Sequence, residues 1–128
     1  MAKRRNMGQG GGRRKPRDDQ AAAVRKAEIL KALAHPARVL IFEAVAAREL
    51  TVGEIATLLG AKDSITSRHL AVMRAAGLVA ARKAGLNVYY SSRMSCLSAV
   101  MPCLEQAVCT MADEQGRIAS GLRREGRI

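Results

Sequence analysis

Tryptophan is absent from this chain, and its 128 residues hold only one phenylalanine and two tyrosines. Its core must therefore be mostly aliphatic and alanine-rich, and the length suits one small domain. A core so thinly filled gains from a dimer partner. No run of 18 apolar residues occurs, which argues against a transmembrane helix and against a membrane partner. The basic N-terminus has no apolar stretch behind it, so it does not read as a signal peptide. Cysteine occurs three times, an odd number that, without an export signal, points to reduced thiols in a cytoplasm. Catalytic constellations are missing too: no serine–histidine–carboxylate pattern, no glycine-rich phosphate loop and no H-E-x-x-H. The chain does not read as an enzyme.

Positive charge is plentiful. The formal net charge is +11 and the isoelectric point about 10.6, which favours a polyanionic partner such as nucleic acid or an anionic membrane. Residues 1–20 carry seven Lys or Arg (Lys3, Arg4, Arg5, Arg13, Arg14, Lys15, Arg17) against Asp18 and Asp19. Residues 21–112 carry eleven basic and six acidic residues, so the middle remains basic without its leader. Residues 1–19, rich in Gly and Arg with little to bury, read as a disordered basic arm. That arm is either a solubilising leader or a source of nonspecific phosphate affinity.

Helical spacing begins at about Gln20 and continues to Leu33, with Val24, Ala27, Ile29, Leu30 and Leu33 apolar. His35-Pro36 marks a boundary, with His35 as a capping residue and Pro36 at a first helical position. The next helix, to about Arg48, is expected to bury Val39, Leu40, Phe42, Ala44 and Val45. Thr51 followed by Glu54 makes a capping box for a short helix ending at Gly60. A further helix spans 64–76, capped by Asp63 or Ser64 and stopped at Gly77. Ile65, His69, Val72, Met73 and Ala76 gather on its apolar side, with Leu70 at the edge; Ser64, Ser67, Arg68, Ala71, Arg74 and Ala75 face outward. LVAARK and NVYYSSR then read as two strands around Ala84-Gly85-Leu86. From Ser95 helical spacing returns, with Leu97, Val100, Met101, Leu104, Ala107, Val108 and Met111 on one broad face. The polar tail from about Gly116 is expected to fray, leaving residues 20–115 as the domain and 116–128 as tail. A short capped helix, a tight turn and a polar-faced second helix make a helix-turn-helix, and the hairpin behind it a wing.

Four segments, LKALAHPARVLIF, ELTVGEIATLLG, SITSRHLAVMRAAGLV and RKAGLNVYYSS, together resemble the ArsR/SmtB (arsenic-repressor-like) family of bacterial winged-helix regulators, over about residues 25 to 110. The resemblance implies a mainly α fold with a small β-hairpin, a winged helix-turn-helix of order ααααββα. It further implies a homodimer joined through the first and last helices, a recognition helix in the major groove and a wing against backbone or minor groove. Members typically repress transcription and release DNA on a metal, metalloid or redox signal.

On that frame, the exposed start of the recognition helix must offer hydrogen-bonding side chains, and Ser64, Thr66, Ser67 and Arg68 meet the requirement. Arg68 suits either a guanine edge or a phosphate. Arg74 and Lys62 suit the backbone, as do Arg82 and Lys83 in the wing, with Asn87 near its tip. Family wings often carry arginine just after the turn glycine; here Leu86 stands there, which weakens the case for minor-groove insertion. His69 falls within the apolar side and reads as a packed, hydrogen-bonded histidine. Tyr89 and Tyr90 alternate, one inward and one outward.

Two sensing signatures of the family are missing. A cysteine pair flanking a valine would fall at Thr51 and Gly53, and no histidine follows His69 to build a last-helix site. Cys96, Cys103 and Cys109 remain, three soft ligands that suit As(III), Sb(III) or another thiophilic metal. In one straight helix they would be spaced by roughly 10 Å and 9 Å. One ion needs its sulfurs within about 4 Å of each other. A break at Pro102, or sulfurs shared between two subunits, would be required. The cysteines fit three roles: apolar interface residues, a metalloid or soft-metal sensor, or a redox or persulfide sensor. The expected function is a homodimeric repressor on a double-stranded inverted-repeat operator, with As(III)/Sb(III) as possible inducer and no obligatory cofactor. The rivals are a redox-responsive or inducer-independent repressor, or a sequence-indifferent architectural protein.

Overall fold

The computed structural model describes the backbone of residues 16–125 and the side chains of residues 18–116; expectations for residues 1–15 lie outside it. Helix α1 (Pro16–Leu33) starts four residues before the expected Gln20. Proline is preorganised for a first helical turn, and Asp18 and Asp19 complement the dipole there. Helix α2 (Pro36–Ala47) starts as expected, with His35 Nδ1 accepting from the Ala37 amide at 3.1 Å. Strand β1 (Leu50–Thr51) was not anticipated, since two residues show no periodicity. Helix α3 (Val52–Leu59) carries the predicted Thr51–Glu54 capping box and ends at Gly60, whose φ of 62° is left-handed.

Helix α4 (Asp63–Ala75) has Lys62 as its N-cap, and neither Asp63 nor Ser64 supplies a capping hydrogen bond. Its end is the one predicted. Gly77 takes a φ of 79°, its amide donates to Arg74 O at 3.0 Å, and the Leu78 amide donates to Met73 O at 2.9 Å. Those paired bonds are a Schellman motif, which turns the chain directly into the sheet. Strands β2 (Val79–Ala84) and β3 (Asn87–Ser92) pair antiparallel through a two-residue turn that begins at Gly85, φ 61°. Strand β1 joins on the other side of β3, so the sheet order is β1-β3-β2.

After the sheet, the single helix expected from Ser95 is two: α5 (Ser95–Ser98) and α6 (Met101–Glu125). Pro102 stands at the second position of α6, where its missing N–H costs no helical bond. Helix α6 continues through Gly116 to Glu125, beyond the point where fraying was expected. Residues Ser95–Gly116 are long and apolar enough, by length and composition, to cross a membrane. An unbroken apolar run is absent there because Ser98, Pro102, Glu105, Gln106 and Thr110 interrupt it.

The core lies between α2, α3, α4 and the sheet. Ile41, Phe42, Leu50, Ile55, Leu70, Met73, Leu78 and Val79 are fully buried, and Ala32, Leu33, Val45 and Met101 close its edges. Leu40, expected inside, is 56% exposed. Val24 and Leu30 of α1 are exposed, as are Val100 and Leu104, Val108 and Met111 of α6.

Candidate nucleic-acid interface

Helix α4 is held in the fold by Thr66, Leu70 and Met73, which lie three and four residues apart and share one face. Thr66 is thus a correction to the predicted set of contacts. Its side chain is fully buried and its Oγ1 donates to Lys62 O at 3.0 Å, so it cannot reach a groove. Ser64, Ser67, Arg68 and Arg74 are exposed on the remaining faces, and Lys62 is exposed just before the helix. Ile65 and Val72 were expected in the core and are instead 46% and 40% exposed. The buried face keeps Met73 but is turned by roughly 80° from the predicted one, less than the step of a single residue.

His69 sits where its angular position suggested. It is half-buried, its Nδ1 accepts from Arg38 Nε at 3.2 Å, and its ring lies 4.6 Å from that of His35. Arg38 also donates from Nη1 to Ala32 O at 3.1 Å, so one guanidinium joins the end of α1, the start of α2 and the middle of α4. Burial holds the His69 pKa below the ordinary imidazole value, and the neighbouring charges of His35 and Arg38 push the same way. A neutral ring with Nδ1 as acceptor is consistent with both.

The wing places Lys83 and Asn87 in solvent beside Leu86, which is fully exposed at the tip. Arg82 is engaged elsewhere. Its Nη2 lies 2.7 Å from Glu49 Oε2 and its Nε 3.3 Å from Oε1, and its guanidinium carbon is 5.2 Å from the Tyr89 ring centroid. Hydrogen bonding from Arg82, helped by its charge, holds the Glu49 carboxyl below its usual range against an opposing effect of burial. Among the described residues, Lys62, Arg68, Arg74 and Lys83 form no such pair. Tyr90 packs against the core, and with Ser67, Ala71, Arg74 and Ala75 it lines a shallow cleft between α4 and the sheet. Glu49 was not singled out from the sequence, and Tyr90 only as one of two alternating strand tyrosines. No local pattern links Glu49 to Arg82, 33 residues away.

The three cysteines are exposed and free, Cys96 on α5 and Cys103 and Cys109 on α6. Among the described residues no three metal-ligating side chains of one chain come together. The break before Pro102 therefore does not gather the three thiols within a subunit. On α6, Leu104, Val108 and Met111 form an exposed stripe; Cys103 lies about 100° to one side of Leu104, and Cys109 about 140° to the other.

Residues 35–81 match the family described as bacterial regulatory protein, arsR family. The chain is 33% identical over 102 residues to the HTH-type transcriptional regulator Rv0081 of Mycobacterium tuberculosis, covering 79% of this chain and 90% of that one. It is 34% identical over 91 residues to the HTH-type transcriptional regulator YgaV of Escherichia coli, covering 70% and 92%. Its fold matches the homodimeric winged helix-turn-helix DNA-binding domain Mb0332 of Mycobacterium bovis, a possible ArsR-family regulator. That match has a TM-score of 0.64 at 30% identity and covers 81% of this chain and 94% of that one. Helix order, capped turn, hairpin and sequence similarity agree, and the chain belongs to the ArsR family of transcriptional regulators.

Proposed function

We propose that the chain is a homodimeric repressor that binds a double-stranded operator of inverted-repeat symmetry in the cytoplasm. The observation that carries this is the exposed surface of α4. Ser64, Ser67 and Arg68 stand near its N-terminus, Lys62 and Arg74 at its two ends, and the cations are free of ion pairs among the described residues. A helix presented in this way offers hydrogen bonds to base edges from its first turns and charge to the phosphates on either side. Lys83 and Asn87 extend the same surface along the wing. The uncovered apolar residues of α1 and α6 suit a second copy, and a homodimeric relative supports that arrangement. A dimer interface also accounts for an apolar 95–116 segment without a bilayer.

The inducer in this reading is thiol-directed: As(III), Sb(III) or another soft metal acting on Cys96, Cys103 and Cys109. Their separation within one subunit favours a site that draws sulfurs from both subunits, with Cys103 nearest the α6 stripe. Such binding would shift the spacing of two recognition helices, and about 2.7 kcal/mol of coupling gives hundredfold release.

Fluorescence anisotropy on an inverted-repeat fragment from upstream of the gene tests both parts. It is run reduced, with and without As(III), on the wild type and the Cys96/Cys103/Cys109→Ser variant. Specific binding that As(III) abolishes only in the wild type is the expected result. Specific binding blind to As(III) removes the metalloid and leaves an oxidant or persulfide to be tried. Affinity that ignores sequence and falls steeply with salt identifies an architectural protein instead.

A further inference from the structure

Arg82 stands on the wing with a cation's credentials for a phosphate, yet its geometry gives it other work. In the sheet, Thr51 of β1 pairs with Tyr89 of β3, and Tyr89 pairs with Arg82 of β2, so these residues form one row across three strands. Glu49 lies two residues before Thr51. The Arg82 fork spans the central strand, bonds both oxygens of Glu49 at 2.7 and 3.3 Å, and rests over the Tyr89 ring. The two ends of this bridge belong to different functional parts. Strand β1 leads without a break into α3, whose capping box uses Thr51, whereas β2 is one arm of the wing.

We propose that Arg82 is a positioning residue rather than a phosphate contact: with Glu49 and Tyr89 it staples the wing to the helix-turn-helix, so that Lys83, Asn87 and helix α4 meet one DNA duplex at a set angle. This rests on the DNA-binding reading above. A planar fork bound to both carboxylate oxygens has little to gain by leaving them for a phosphate. Lysine cannot reproduce the fork, although it keeps the charge. Because the pair is exposed, its loss leaves the fold intact, and the consequence appears in how well the two DNA-contacting parts act together.

The test compares affinities of the full chain for the operator and for a scrambled duplex at several salt concentrations. Glu49→Gln and Arg82→Lys should each reduce the preference for operator over scrambled DNA by up to about fivefold, the size expected for one exposed bidentate pair. The Glu49→Arg/Arg82→Glu exchange should restore most of that preference. Arg82→Gln should leave the slope of log K against log salt unchanged, whereas a lost phosphate contact would lower it by about 0.9. The staple is overturned if Glu49→Gln tightens binding to both duplexes alike, if the Arg82→Gln slope drops, or if the charge exchange fails to rescue. A wild type with no operator preference sinks the DNA reading and this role with it. A specific wild type whose preference Glu49→Gln leaves untouched removes the staple alone.

Discussion

The helix-turn-helix with its sheet and the two flanking helices differ in how much of their apolar surface they enclose. Between α2 and β3, Phe42, Met73 and Leu78 have no exposed surface at all, and five more large side chains of that region are buried almost as completely. Among its described residues helix α6 gives that core only Met101, while Leu104, Val108 and Met111, with Val100 just before the helix, stay open; α1 leaves Val24 and Leu30 open in the same way. The first region encloses a core within a single chain, although Leu40, Leu58, Ile65, Val72 and Leu86 stay exposed on its surface. The other carries an apolar surface that the single chain leaves uncovered; in the proposed dimer that surface is buried, which would tie its stability to concentration.

The contrast can be broken at either side. Phe42→Ala empties the centre of the self-sufficient half and should cost about 3–5 kcal/mol in urea denaturation, whatever the protein concentration. Leu104→Glu with Val108→Glu should leave that half folded but weaken self-association at least a hundredfold, about 2.7 kcal/mol, as read by sedimentation equilibrium. Wild-type melting temperature should rise with protein concentration, and that dependence should vanish in the double variant. Equal concentration dependence in both proteins would remove α6 from the interface.

Smaller effects sharpen the picture. Thr51→Ala removes the cap of α3 and should cost about 1 kcal/mol without changing the oligomeric state. His69 gives the smallest effect. Its folded pKa lies below its unfolded value, so its contribution to stability is present above the ordinary imidazole pKa and lost as pH falls through the folded one. Urea midpoints measured as pH is lowered from 7 should decline, and His69→Gln should flatten the decline. An equally steep decline in the variant would assign it to other groups.

The parts of this account that could be read in advance are local ones. The Thr51–Glu54 box, the His35 cap and the glycine stop at Gly77 each depend on residues within a few positions, and the structure forms all three. The parts that could not be read need distant partners. Periodicity grouped Ile65 and Val72 with the core and left Thr66 among the surface candidates. Packing against α2, α3 and the sheet chose a face turned toward Leu70 and put Thr66 inside. Strand β1 exists only because β3 supplies its ladder, and Glu49 meets Arg82 only because three strands lie side by side.

Taken alone, the order of residues was enough to determine the first four helices and the hairpin, the capped turn between α3 and α4, and the resemblance to one regulator family. Those follow from hydrogen bonds and spacings that a short segment closes within itself. Tertiary structure alone decided which face of α4 turns outward, which wing cation remains free, and that three thiols of one subunit do not converge. Each of these depends on which distant surface an element is pressed against. A helix or strand has several edges of nearly equal hydrophobicity, and only contact with the rest of the fold selects among them.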